Sequence, residues 1–226
     1  MNASSATPEQ AIVAHVNRTA SQDEALLNAI EAAEEFGLVY PDTITGEFLT
    51  FLAAQAEGSA TSAGHTPTAI IMASASGVVG SHLFSGMPDG HLTCIEPEVQ
   101  HQQLAKEAFA AFGKRPNNYR FLPSAPLDVV GRLAQESYDL AIAEASEEDF
   151  IPLIKATLPA LRLGGVLVLL DSLVDGLVSD DSRTDRQTIA AREADEFFRE
   201  LDSVQVSRLP LGAGVTLITK LTPKAP

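Results

Sequence analysis

The chain has 226 residues, of which 45% are hydrophobic and 20% charged, and this suits one folded domain with extensions or at most two small domains. Thirty acidic and fifteen basic residues give a net charge of −15, which argues against general nucleic-acid binding because phosphate backbones would be repelled. Apolar runs such as Val166–Leu170 are far shorter than the ~20 residues of a membrane span, so no membrane partner is expected.

The N-terminal part of the chain is predicted to be helical. Residues 1–5 have neither the basic nor the apolar region of a signal peptide, so we expect a cytoplasmic protein. Apolar residues at helical spacing predict one helix over Gln22–Phe36 and a second that ends near Ala56. The small residues of 57–64 then predict a linker.

From residue 68 onward, apolar runs alternate with amphipathic stretches, a pattern typical of a parallel sheet with helices on both faces. The predicted strands are Thr68–Ala73, His91–Ile95, Tyr119–Leu122, Tyr138–Ala143 and Gly165–Leu170. The predicted helices between them are Val78–Ser85, Glu98–Phe112, Pro126–Ala134 and Phe150–Leu161.

The C-terminal part departs from an ordinary dinucleotide-binding pattern. A helix over Arg183–Leu201 precedes strands Val204–Leu209 and Val215–Leu221, and the five residues between these strands are too few for a crossover helix. The two strands must therefore run antiparallel. We predict an α/β, Rossmann-like, seven-stranded, mostly parallel sheet with an antiparallel last strand and helices on both faces. A helical extension over 1–60 would precede one structural unit over 61–226.

Ligands of open α/β sheets bind at the carboxyl ends of the strands, where two features stand out. A nucleotide-binding turn normally has several glycines, but the turn after the first strand has only one and reads Ala73, Ser74, Ala75, Ser76, Gly77. It could still be tight, although a positive φ would be strained there, and an ordinary strand-to-helix turn is the alternative. Glu96 ends the second strand, where a carboxylate accepts hydrogen bonds from ribose hydroxyls of dinucleotides and of S-adenosylmethionine (SAM) alike.

Two further carboxylates end neighbouring strands. Glu144 follows the fourth predicted strand and Asp171 follows the fifth. Such a pair could hold a hard cation such as Mg²⁺ through oxygen ligands. The alternative is that either acid caps the loop that follows it.

Three motifs, taken in order along the chain, resemble those of one known family. Tyr138–Ala145 resembles Y-D-L-I-F-I-D-A, Gly164–Ser172 resembles G-G-L-I-V-V-D-N, and Leu209–Thr216 resembles L-P-I-G-D-G-L. The family is that of the SAM-dependent O-methyltransferases of the catechol and caffeoyl-CoA type, and the resemblance covers roughly residues 40–220.

The resemblance implies transfer of a methyl group from SAM to a hydroxyl of a small-molecule acceptor, often in a homodimer. It implies that Glu144 and Asp171 are catalytic, and that a Mg²⁺ ion, if one is used, is held by Glu144, Asp171 and Ser172. The SAM-binding residues that it implies are Ala73, Ser74, Ala75, Ser76, Gly77, Glu96, Ser124, Ala125 and Glu144.

Several family motifs are altered in this sequence. Ala73 and Ala75 replace two glycines, Ser124-Ala125-Pro126 stands where the family has G-D-A, and Glu147 stands where the family has a lysine. Two alternatives therefore stay open. One is a binding or scaffold protein that keeps the methyltransferase fold with little catalysis. The other, which the glycine-poor turn and the hairpin ending disfavour, is an NAD(P)-dependent oxidoreductase.

Overall fold

The computed structural model describes residues 7–20 and 23–222. The strands in this part of the chain are β1 (Thr68–Met72), β2 (His91–Ile95), β3 (Tyr119–Leu122), β4 (Tyr138–Ala143), β5 (Leu161–Leu169), β6 (Val204–Leu209) and β7 (Val215–Lys220). The helices are α1 (Pro8–Thr19), α2 (Glu24–Glu35), α3 (Thr43–Ala63), α4 (Ser76–Gly86), α5 (Val99–Ala111), α6 (Pro126–Val129), α7 (Phe150–Thr157) and α8 (Arg186–Glu200).

The strands form one seven-stranded sheet in the order β3-β2-β1-β4-β5-β7-β6. Strand β7 runs antiparallel to both β5 and β6, and the other neighbouring strands are parallel. The predicted fold class is therefore confirmed. The strand order reverses between β1 and β4, so the carboxyl ends of these two strands border the crevice in which such sheets bind ligands.

Both faces of the sheet are covered because the central strands are apolar on both sides. Along β1, Ala69 and Ile71 pack into the core cluster beneath α2 to α5, whereas Ile70 and Met72 pack into the cluster beneath α7 and α8. This alternation follows from the two-residue period of a strand. All four residues are almost fully buried, which fixes the strand whose carboxyl end forms the predicted site.

Helix α3 is longer than the sequence suggested. The linker predicted over 57–64 is wrong, because α3 continues unbroken to Ala63 and ends at Gly64 in the left-handed conformation. Ala60, where the helical extension was expected to end, belongs to this helix and is fully buried. Small residues mark flexible linkers, but they also mark the buried side of a closely packed helix, and only the structure distinguishes the two.

The other differences between the predicted and the observed strands and helices are small. Strand β5 begins at Leu161 rather than at Gly165, with a register shift where it pairs with β4. The helix predicted over Pro126–Ala134 is one short α-helical turn followed by a 3-10 turn, Val130–Arg132. Within the described residues, no helix is both long and apolar enough to cross a membrane.

Candidate functional site

An open cleft of about 590 Å³ lies at the carboxyl ends of β1, β2 and β4. Four of the residues predicted to bind a cofactor contribute to its wall, namely Ala73, Ser74, Glu96 and Glu144. The sheet order explains this grouping, since β1 lies between β2 and β4. We refer to this space as the cofactor cleft.

The turn from β1 into α4 needs no residue in the left-handed conformation. None of residues 73–76 has a positive φ, and Ala75, which precedes the helix, has φ −84°. Alanine can therefore stand there in place of glycine without taking a positive φ. Gly77 serves helix packing, because a Cβ atom on it would lie 3.1 Å from the Cα atom of Ala105.

Glu96 is buried and held by hydrogen bonds, and only 4% of it is exposed. Its Oε1 accepts a hydrogen bond of 2.8 Å from the backbone N–H of Glu98. The backbone carbonyl of Glu96 accepts a bond of 2.8 Å from the side-chain amide of Gln102. Within the described residues, Oε2 accepts no hydrogen bond. One carboxylate oxygen of a fixed group is thus available to a ligand in the cofactor cleft.

His101 lies beside Glu96 and also lines the cofactor cleft. Its Nδ1 is 3.3 Å from Oε1 of Glu96 but does not form a well-directed hydrogen bond with it. His101 was not predicted as a site residue, because the five histidines show no ligand spacing in the sequence. The available signal was its position in the first turn of α5, which begins directly after the Glu96 loop.

Glu144 extends β4 by one residue, and its backbone N–H donates a hydrogen bond of 2.8 Å to the carbonyl of Met72. The hydroxyl of Ser74 donates to its Oε2 at 3.3 Å. Burial raises the pKa of Glu144, the hydrogen bonds from Ser74 oppose this, and the charges of Asp171 and Glu96 raise the pKa further. Its carboxylate is therefore more basic than that of an ordinary glutamate.

A second, smaller cavity of about 130 Å³ adjoins the first at Glu144, which lines both. Its polar lining residues are Asp42, Thr45, Glu144 and Asp171. Its apolar wall consists of Val39, Tyr40, Pro41, Val79 and Leu170. We call this space the acceptor cavity.

The residues predicted to hold Mg²⁺ are only partly brought together. Glu144 and Asp171 both line the acceptor cavity. Oδ1 of Asp171 already accepts a bond of 3.0 Å from the backbone N–H of Ala213. The hydroxyl of Ser172 donates to the Oγ1 of Thr216 at 2.8 Å, which directs it toward the hairpin. Among the described residues, no group of three His, Cys, Asp or Glu side chains could hold a metal ion. This donor set does not fit Mg²⁺.

Five of the predicted cofactor residues do not line the cofactor cleft. Ala75, Ser76 and Gly77 belong to the turn into α4 or to its start, and Ser124 and Ala125 follow β3. Ser124 is partly buried and Ala125 is exposed, and Ala125 precedes the short helix α6. Neither lines the cofactor cleft, although the next residue, Pro126, does. The structure therefore places this segment at the edge of the cleft.

Comparison with known proteins identifies the family. A family model described as O-methyltransferase matches residues 83–221, which is more than half of the chain. The chain belongs to the O-methyltransferase family. A relative from Mycobacterium sp. (strain KMS), provisionally named an O-methyltransferase, is 33% identical over 207 residues, which cover 91% of this chain and 90% of that protein. The family inferred from the sequence motifs is thus confirmed.

Solved structures share the fold of this O-methyltransferase family member. A protein from Corynebacterium glutamicum is 43% identical, with a TM-score of 0.90 over 96% of this chain and 99% of that chain. The O-methyltransferase TomG from Streptomyces achromogenes, solved in complex with SAM, has a TM-score of 0.78 over 93% of this chain and 95% of its own. Its sequence identity is 22%, so it supports the fold alone.

Proposed function

We propose that this protein transfers a methyl group from SAM to a hydroxyl of a small-molecule acceptor. The observation that carries the proposal is that the cofactor cleft and the acceptor cavity adjoin at Glu144. Methyl transfer is an in-line displacement, and its rate depends chiefly on how well the two reactants are aligned. Two adjoining spaces with one shared carboxylate suit that requirement.

The cofactor cleft offers matching groups for SAM. The free Oε2 of Glu96 is suited to accept hydrogen bonds from ribose hydroxyls, and a charged acceptor makes these bonds stronger. His101 lies beside it as a further polar contact. When bound, SAM supplies an activated methyl group on a positively charged sulfur, and the carboxylates of Glu96 and Glu144 complement that charge.

Glu144 is the residue that we assign to proton transfer. Its raised pKa makes it a better general base than an ordinary glutamate. In the proposed step, the acceptor oxygen forms a bond to the methyl carbon, the bond from sulfur to that carbon breaks, and the hydroxyl proton passes to the Glu144 carboxylate. The proposed step uses no metal ion, because the Ser172 hydroxyl is bonded to Thr216 and Oδ1 of Asp171 to Ala213, so the implied Mg²⁺ ligands are not all free.

The experiment that tests the proposal is methyl transfer from SAM to a panel of phenols, with EDTA present. The alternative of a non-catalytic binding protein has one supporting observation, the loss of the family's metal donor set. The assay, together with calorimetry of S-adenosylhomocysteine (SAH) binding, separates the two functions. A binding protein would bind SAH but would produce no methylated phenol.

We also propose that the protein is a homodimer that associates through its N-terminal helices. Helix α1 has no buried residue, and the side chains of Ile12 and Phe51 are 63% and 55% exposed. A second copy of the chain would cover these residues, and large contiguous apolar patches are typical of protein–protein contacts. Sedimentation velocity should give twice the monomer mass, and Ile12→Ser should shift the protein toward the monomer. A monomer at all concentrations would contradict this proposal.

A further inference from the structure

The acceptor cavity has the size of a single ring. Its volume is about 130 Å³, and an apolar cavity of ~150 Å³ is known to hold benzene. The ring would pack against Tyr40, Val79 and Leu170. The phenolic hydroxyl would face Glu144, because that residue is shared with the cofactor cleft.

The ionisable groups that line the acceptor cavity are all acidic. Its three ionisable carboxyl groups belong to Asp42, Glu144 and Asp171, and among the described residues no lysine, arginine or histidine lines it. Oδ1 of Asp42 accepts a bond of 2.7 Å from the N–H of Thr45, and Oδ1 of Asp171 accepts one from Ala213. Within the same part of the chain, the Oδ2 atom of each aspartate accepts none. Two carboxylate oxygens are therefore available to a ligand.

A second observation points independently to a ligand. Thr45 lines the acceptor cavity, only 3% of it is exposed, and its hydroxyl has no hydrogen-bond partner among the described residues. A buried hydroxyl without a partner is unfavourable, so native structures rarely retain one without a reason. A polar group on a bound acceptor would supply the missing partner.

We infer that the acceptor cavity takes a single-ring phenol that carries a protonated amine, and that it rejects acceptors with a carboxylate or phosphate. The inference rests on the proposed function. The ammonium group would lie near the unpaired oxygens of Asp42 and Asp171, and the carboxylates would repel an anionic group at the same place. Adjacent hydroxyls are not required, because the described residues contain no group of three His, Cys, Asp or Glu side chains that could hold a metal ion for them to bind.

Three matched probes test the inference, namely tyramine, para-ethylphenol and para-hydroxyphenylpropanoate. They share the ring and hydroxyl and differ in carrying a positive, a neutral or a negative group. Calorimetry on the SAH-loaded protein should give affinities in that order, with tyramine about tenfold tighter than the neutral probe. The preference should weaken at high salt, because part of Asp42 is exposed and screened.

Two variants assign the preference to this cavity. Asp42→Asn keeps the cap of α3, because asparagine caps as well as aspartate, and should lower the tyramine preference several-fold. The matched control is Asp23→Asn, which changes the cap of α2 outside the cavity. Thr45→Val should weaken binding of the probes without lowering the melting temperature, since it removes a hydroxyl that has no partner in the described part of the chain.

The inference is overturned if the anionic probe binds as well as tyramine, if none of the three probes binds, or if Asp42→Asn leaves the preference unchanged. These outcomes leave the proposed function intact when SAH binds and another phenol is methylated. Failure to bind SAH would overturn both the proposed function and this inference.

Discussion

At the scale of single residues, the local contacts of two carboxylates decide which task each one suits. Glu96 and Glu144 both follow buried strands, yet their surroundings differ. Oε1 of Glu96 accepts a hydrogen bond from the backbone N–H of Glu98, which holds the carboxyl group in one orientation and suits a permanent hydrogen-bond acceptor. Glu144 is more basic than usual because burial and neighbouring charges outweigh its bonds from Ser74, which suits a group that takes up a proton. Two glutamate side chains thus suit different tasks because their local contacts differ.

The ribose assignment predicts the behaviour of Glu96→Gln. The amide keeps the shape of the side chain but loses the charge that strengthens hydrogen bonds to ribose hydroxyls, so SAH affinity should fall by about ten- to a hundredfold. Calorimetry with SAH measures this directly. The control is Glu107→Gln, an exposed position on the same helix as His101 that does not line the cofactor cleft. Equal affinities for the two variants would remove Glu96 from the binding site.

At the scale of elements, α3 and α4 pack closely enough to require glycine. A Cβ atom on Gly86 of α4 would lie 2.2 Å from the carbonyl oxygen of Thr50 in α3. Helix α3 carries Thr45, and α4 follows the turn at Ala73 and Ser74. The close packing of α3 against α4 therefore keeps together two helices that both line the acceptor cavity, through Thr45 and Val79.

Gly86→Ala should lower the free energy of unfolding by about 1–3 kcal/mol, because the methyl group would force backbone atoms of the two helices apart. Gly58→Ala is the matched comparison, since a Cβ atom there meets nothing within 4 Å and the position is inside α3. It should stabilise the protein by about 0.5–1 kcal/mol, as for alanine in place of glycine in a helix. Denaturant unfolding measures both changes. A neutral Gly58→Ala would contradict a continuous helix over 57–63.

At the scale of the whole molecule, the sequence predicted the sheet and the cofactor cleft but not the acceptor cavity. The cleft follows from strand order, because Ala73, Glu96 and Glu144 end strands that are neighbours in the sheet. The acceptor cavity combines the loop before α3 with Asp171 and with Gly212 in the distant hairpin. No local pattern encodes contact between such segments. The hydrogen bond from the Ser172 hydroxyl to Thr216 could not be predicted either, because it also joins segments that are distant in the sequence.

The central claim is metal-free methyl transfer between the two adjoining spaces, and one measurement tests it most directly. Purified protein is mixed with methyl-labelled SAM and the phenol panel in EDTA, and labelled ether is counted. We predict ether formation by the native chain and by Glu107→Gln, and a loss of about 10²–10⁴-fold in Glu144→Gln, the usual contribution of a general base. No labelled ether from any phenol, or ether that forms only after Mg²⁺ is added, would contradict the account.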